Sequence, residues 1–255
     1  MNKLLLFTSM VFATIACLSL THKPLTLHMV GDSTMAEKED MDISPERGWG
    51  QFFDTYLDTH AIVRNYAKNG RSTKSFRTEG RWQKVLDNIH KGDVVLIQFG
   101  HNDAKSQDST RYSSIPEYEQ NLERMIDEAQ AKKASVILCT SINRRTFKDG
   151  VFYSSLGEYP EAARRVAARK NVPLIDLEQR TASWLTELGD EASKAYFMNV
   201  PAGECIKYPD GKTDNTHLRE NGARLIGQMA AEEIQRQQIK PLCRYIKTFA
   251  ADYAK

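Results

Sequence analysis

A serine, a histidine and a carboxylate suffice for nucleophilic catalysis once a fold brings them together. The imidazole takes the hydroxyl proton, and the carboxylate orients the imidazole and stabilises its charged form. Ser33 follows an apolar run over 25–30 and the pair Gly31-Asp32. A strand that ends in glycine and hands over a serine holds a hydroxyl out from a sheet edge. Asp214 and His217 stand three residues apart in Lys212-Thr213-Asp214-Asn215-Thr216-His217. That segment reads as the entering turn of the last helix, where this spacing puts two side chains on one side. Each residue also has a plainer reading. Gly-Asp-Ser-Thr makes a good turn with a helix cap, Asp214 can be an N-cap, and His217 a surface residue of a first turn.

The elements that must position these residues follow from hydrophobic periodicity. Apolar runs over 25–30, 61–66, 93–100, 135–142 and 172–177 read as strands. Between and after them, helical spacing covers 82–89, 116–129, 159–170, 177–188 and about 218–238. Strand and helix alternate, which predicts an α/β fold, a three-layer α/β/α sandwich around a central, mainly parallel five-stranded sheet. With no repeat, linker or composition break, 21–255 is expected to form a single domain. Ligands of such sheets bind outside the C-terminal strand ends. Ser33, Asn69-Gly70 and His101-Asn102 all fall there, and this convergence says more than any one of the motifs.

Composition narrows the function classes. Hydrophobic residues make up 41% of the 255, enough for a real core, and the net charge is +2 with basic and acidic residues intermixed. Nucleic acid is therefore not an expected partner. Residues 1–20 carry one lysine ahead of an apolar run ending in small residues, the pattern of an export signal. Thr14-Ile15-Ala16-Cys17 is a loose lipoprotein box in which Cys17 would carry the lipid. The expectation is an exported, periplasmic or cell-surface monomer that touches a membrane only through that anchor. Cys139 sits in an apolar strand as a small hydrophobe, while Cys205 and Cys243 are left open to pair or not. Neither metal nor cofactor is expected. Asp32, His101, Asp103, Asp214 and His217 could all ligate a metal, but Ser33-Thr34 stands where a metallophosphoesterase would need histidine.

Four blocks together carry a family resemblance: GDST at 31–34, NYAKNGRSTKSF at 65–76, QFGHND at 98–103 and DNTH at 214–217. They resemble the signature blocks of the SGNH (GDSL-like) hydrolases, and their wording is most like that of the rhamnogalacturonan acetylesterases. The stretch YPEAARRVAARKNVPLIDL at 159–177 is similar to that group as well, so the match runs from 25 to about 238. The resemblance implies Ser33 as nucleophile, His217 as general base and Asp214 as its orienting acid. It implies an oxyanion hole made of the backbone N–H groups of Ser33 and Gly70 and the side-chain amide of Asn102. The implied reaction is removal of O-acetyl groups from a pectic poly- or oligosaccharide, acetylated rhamnogalacturonan first, with acetylxylan or another carbohydrate ester as runner-up. A non-catalytic carbohydrate-binding protein on the same fold would lack a triad member or oxyanion donor, and none is missing here.

On residue type alone, Gly70 could serve only a positive-φ turn, and Asn102 an Asx turn. Asp32 is expected to brace the turn before Ser33, His101 and Asp103 to act as loop scaffolding, and His28 to be a core or sheet-edge histidine. Trp49, Arg71, Arg77, Arg144, Phe152 and Tyr153 read as loop aromatics and arginines near the mouth. They could stack on sugar rings or meet carboxylates, or merely anchor loops.

Overall fold

The computed structural model describes residues 23–248. Five strands form the central sheet: β1 Leu25–Gly31, β2 Ala61–Asn65, β3 Val94–Gln98, β4 Ser135–Cys139 and β5 Leu174–Ile175. They lie in the order β2-β1-β3-β4-β5, every neighbouring pair parallel. Strands covered on both faces have no polar side to show, so β1 and β3, buried at every residue, read as mainly apolar runs, interrupted only by Thr26, His28 and Gln98. β2 lies at the edge and alternates between half-buried and exposed.

Strand alternation sends Leu25, Leu27 and Met29 to one core layer with Trp49, Phe53, Ile226, Ala230 and Ile234. Val30, Val95, Ile97, Val136 and Leu138 enter the other, against Phe76, Trp82, Val85, Tyr118, Leu122 and Val166. The second layer is closed by helices α1 Ile115–Ala131 and α2 Tyr159–Lys170. The first is closed by α3 Leu177–Leu188, α4 Glu220–Arg236 and a 3-10 helix, Trp49–Tyr56. The sandwich expected from the alternating pattern is therefore the fold. No helix of the described residues is long and apolar enough to cross a membrane.

Two expectations need correcting. The segment 212–217 is not the entering turn of a helix. It lies in a strand, β7 Lys212–Arg219, antiparallel to β6 Phe197–Val200, and the register slips between Asp214 and Leu218. The cause is local: Asp214 Oδ1 accepts the N–H groups of Thr216 and His217 at 2.9 and 3.0 Å. That side chain takes the bonds a ladder would use, so the strand bulges. Second, Trp49 is not a loop residue but the first residue of the 3-10 helix, and it is fully buried. Cys205 and Cys243, left open by the sequence, are unpaired: Cys205 packs with Met198 and Val200 and lies 3.0 Å from the Ile43 carbonyl, while Cys243 belongs to the main core. The expected export signal and Cys17 lie outside the described residues.

Candidate active site

The serine is set by the way β1 ends. A Cβ on Gly31 would stand 2.9 Å from the Gln98 carbonyl of β3, so glycine lets the two strand ends approach closely. The chain then turns on Asp32, whose Oδ1 accepts the N–H and hydroxyl of Thr34 at 3.0 and 2.9 Å, while Oδ2 faces His101 Nδ1 at 3.3 Å. Burial works against the Asp32 charge, but His101 and the Thr34 bonds hold its carboxyl below the usual range. Asp32 is the expected brace, and His101 is scaffolding behind it.

Ser33 Oγ, at the crest of this turn, lies 2.8 Å from His217 Nε2, and His217 Nδ1 lies 2.8 Å from Asp214 Oδ2. Asp214 is half-buried, which would raise its pKa. The hydrogen bond and charge of His217 and the backbone N–H groups of His217 and Thr216 outweigh this and hold it far below the ordinary carboxylate value. An ionised Asp214 accepts the Nδ1 proton and so leaves Nε2 free to receive the serine hydroxyl's hydrogen. The three residues thus meet as the sequence suggested, through the bulge rather than a helical turn.

The loops after β2 and β3 bring up the other polar groups. Gly70 has φ +76°, a conformation that favours glycine. Lys68 N–H donates to the Gly31 carbonyl at 3.1 Å, and Asn102 Nδ2 donates to the Arg71 carbonyl at 3.0 Å, which ties the three strand-end loops together. Among the described residues, the N–H groups of Ser33 and Gly70 donate to no protein acceptor. Asn102 keeps a second amide hydrogen. Donors left unspent beside a nucleophile are what a developing oxyanion requires.

The residues expected to touch substrate divide. Trp49 donates Nε1–H to Gln98 Oε1 at 2.7 Å inside the core, and Arg77 forks onto both oxygens of Glu128 at 2.7 and 3.1 Å. Both are structural. Arg71 borders Gly70 in a cleft of about 370 Å³ shared with Thr110 and Arg111. Arg144 reaches the His101 carbonyl at 3.4 Å. Tyr153 is 51% exposed beside a short hairpin in which Phe147 meets Phe152, and no hydrogen bond joins it to the triad. His28 is a core histidine, 3.0 Å from Asp93 Oδ2. Among the described residues, no three His, Cys, Asp or Glu side chains are grouped to hold a metal ion.

Four charged residues beside the triad carry no sequence signal. Lys38, Glu46 and Lys212 form a run of ion pairs that ends on Asp214. Buried Arg145 bonds the segment between Asp214 and His217.

A sequence profile described as the GDSL-like lipase/acylhydrolase family matches residues 29–225, which take in Ser33, Asp214 and His217 and the three groups expected to form the oxyanion hole. The chain belongs to the GDSL-like lipase/acylhydrolase family. It is 40% identical to the rhamnogalacturonan acetylesterase RhgT of Bacillus subtilis, over 84% of this chain and 90% of that protein. The probable rhamnogalacturonan acetylesterase YesY of the same organism is 35% identical over 82% and 92%. A crystal structure of B. subtilis YxiM has a TM-score of 0.73 at 29% identity; it covers 85% of this chain, which spans 58% of that one. An acetylxylan esterase from Geobacillus stearothermophilus shares the fold at TM-score 0.60 and 17% identity, over 82% and 94%. Membership of this GDSL-like family makes the protein a serine hydrolase.

Proposed function

We propose that this protein removes O-acetyl groups from a carbohydrate, with acetylated rhamnogalacturonan as its substrate. The observation that carries the chemistry is the unbroken line Asp214–His217–Ser33, with both contacts at 2.8 Å. His217 takes the Ser33 proton as Oγ attacks the acetyl carbonyl. The tetrahedral oxyanion is met by the Ser33 and Gly70 amides and the Asn102 side chain. The imidazolium gives its proton to the departing sugar oxygen, which leaves as a hydroxyl, and an acetyl-serine remains. Water then attacks the acetyl carbonyl as His217 takes its proton; the intermediate collapses, the proton passes to Ser33 Oγ, and acetate and the free serine are released.

The two B. subtilis relatives named for rhamnogalacturonan support the substrate, at 40% and 35% identity over most of their length. Acetylxylan is the weaker reading, because it rests on likeness of fold alone. Arg144, which pairs with no carboxylate among the described residues, suits a substrate bearing carboxylates, whereas Arg71 and Arg111 are already paired with Glu79 and Asp108. The expected signal over 1–20 supports action outside the cytoplasm, on poly- or oligosaccharides met there.

Acetate release from acetylated rhamnogalacturonan, homogalacturonan and xylan tests this, with an EDTA-treated sample and Ser33→Ala alongside. Release fastest from rhamnogalacturonan, insensitive to EDTA and lost in Ser33→Ala, is expected. Fastest release from xylan would overturn the substrate, and metal-dependent release would overturn the mechanism.

A further inference from the structure

A lysine buried beside a serine nucleophile must find partners for its charge, because an unpaired ammonium away from water is expensive. Lys38 is buried to 6% and spends its hydrogens on three acceptors: Ser33 O at 2.7 Å, Asn69 Oδ1 at 2.7 Å and Glu46 Oε1 at 3.0 Å. Burial pulls its pKa below that of an ordinary lysine, and Glu46 opposes the pull. Glu46 is itself kept ionised: burial raises its pKa, but Lys38, His217 and Lys212 lower it further.

The choice of acceptors is informative. Ser33 O belongs to the residue whose N–H faces the oxyanion, and Asn69 immediately precedes Gly70, the second backbone donor. One ammonium therefore ties the loop after β1 to the loop after β2 at the two points flanking the donors. We infer that Lys38 is a positioning residue for the oxyanion hole, fixing the Ser33 and Gly70 amides relative to one another, with Glu46 as its buried counter-ion. The same ions continue to the other arm of the site. Lys212 Nζ stands 3.7 Å from Glu46 Oε2 and 3.1 Å from Asp214 Oδ2, and its charge lies over the Tyr208 ring at 4.5 Å. The alternating charges Lys38, Glu46, Lys212 and Asp214 thus lead from the Ser33 carbonyl back to His217 and the Ser33 hydroxyl.

This rests on the serine-esterase reading, and the test separates the two. The probe is p-nitrophenyl acetate, which needs no carbohydrate contact. Glu46→Gln alone leaves Lys38 without its counter-ion and should unfold at lower urea. Lys38→Met/Glu46→Gln removes both charges, and replacing a buried ion pair by neutral side chains often costs no stability. The double variant should recover the wild-type urea midpoint and still show kcat lower by ~10- to 100-fold, with KM within about twofold, since misplaced donors cost transition-state stabilisation only. Asn69→Ala, which cuts one strand of the tether at an exposed residue, should lower kcat several-fold in a fully folded protein. Wild-type kcat in either variant, with Ser33→Ala inactive beside it, overturns the role of Lys38 alone. Activity retained in Ser33→Ala overturns the esterase reading and this inference with it.

Discussion

Arg145 holds Asn215 at two points, its backbone N–H on the Asn215 carbonyl at 2.8 Å and its guanidinium on Asn215 Oδ1 at 3.0 Å. Asn215 is part of the bulge that carries Asp214 and His217, and Asn199 Nδ2 reaches the same Oδ1 at 3.2 Å. The other guanidinium hydrogens go to Asp190, at its carbonyl (2.7 Å) and its carboxylate, and to Ser193 Oγ at 3.0 Å. A bulge has lost ladder bonds on one side, and Arg145 supplies replacements from outside the strand.

Arg145→Met should therefore cost about 1–3 kcal/mol, from unpaired acceptors at Asn215 and Asp190. It should also lower kcat more than it changes KM, because His217 loses its fixed place. Urea unfolding alongside kinetics checks both. A folded variant with wild-type kcat would show that the guanidinium is not needed and that the Asp214 bonds, the backbone N–H of residue 145 and Asn199 hold the bulge without it.

Ser33→Ala should fold normally and lose at least ~10⁴-fold in kcat, as should His217→Ala, since members of one triad do not contribute independently. Asp214→Asn is a finer probe. Its Oδ1 can still accept the Thr216 and His217 amides, so the bulge survives while the charge beside the imidazole is gone. It should lower the melting temperature by less than Asp214→Ala, because the turn is kept while the charge is lost, and it should lose less activity than the serine variant. A loss of stability equal to that of Asp214→Ala would place the importance of Asp214 in the charge rather than in the turn.

Asn102→Ala should lower kcat by ~10²-fold with little change in KM, because the amide is asked to act mainly on the tetrahedral state. Gly70→Ala tests the neighbouring donor by another route. A Cβ there meets only Arg111 Nη1, at 3.5 Å, so space is not the obstacle. The obstacle is φ +76°, which costs a Cβ-bearing residue roughly 1–2 kcal/mol. Circular dichroism melts and initial rates separate the two effects. An alanine variant equal to wild type in both would show that this amide needs no left-handed backbone.

The strands and the triad were legible because they depend on local pattern. β1 and β3 are buried on both faces, β1 ends in Gly31 and Gly100 stands two residues past β3, so the apolar run and the polar residues that follow announce them together. The bulge at Asp214 was not legible, because a spacing of three residues looks the same in a helical turn and in a strand whose own aspartate takes its amides. Trp49 was misplaced for a similar reason. A turn-rich stretch with Gly48 and Gly50 reads as an exposed loop, yet a Cβ on Gly48 would stand 2.1 Å from the Ala36 carbonyl, a close approach that belongs to buried backbone. Lys38, Glu46 and Lys212 are ordinary charges in sequence. Only the path of the loops makes them neighbours of Ser33 and Asp214.

Asp103 gives a prediction for stability rather than rate. Burial pushes its carboxyl up to about 7, against the lowering effect of bonds from the Thr73 hydroxyl and N–H. The folded protein therefore keeps a proton on Asp103 between about pH 4 and 7 where the unfolded chain gives it up, so this residue makes stability fall as pH rises through that window. The slope from one such group cannot exceed ~1.4 kcal/mol per pH unit. His28 and His101, lowered chiefly by burial, act in the opposite sense up to about pH 6.5, the ordinary imidazole value. Asp32 and Asp214, whose pKa values are lowered, lose their contribution only below about pH 4. Comparing Asp103→Asn with wild type cancels these shared terms. Its Oδ1 can still accept from Thr73, so the variant should fold and gain stability relative to wild type steadily from pH 5 to pH 7, then level off. Urea midpoints at pH 5, 6, 7 and 8 measure the difference. A difference that does not change with pH would mean that Asp103 is ionised across the whole range, held by Thr73 against its burial.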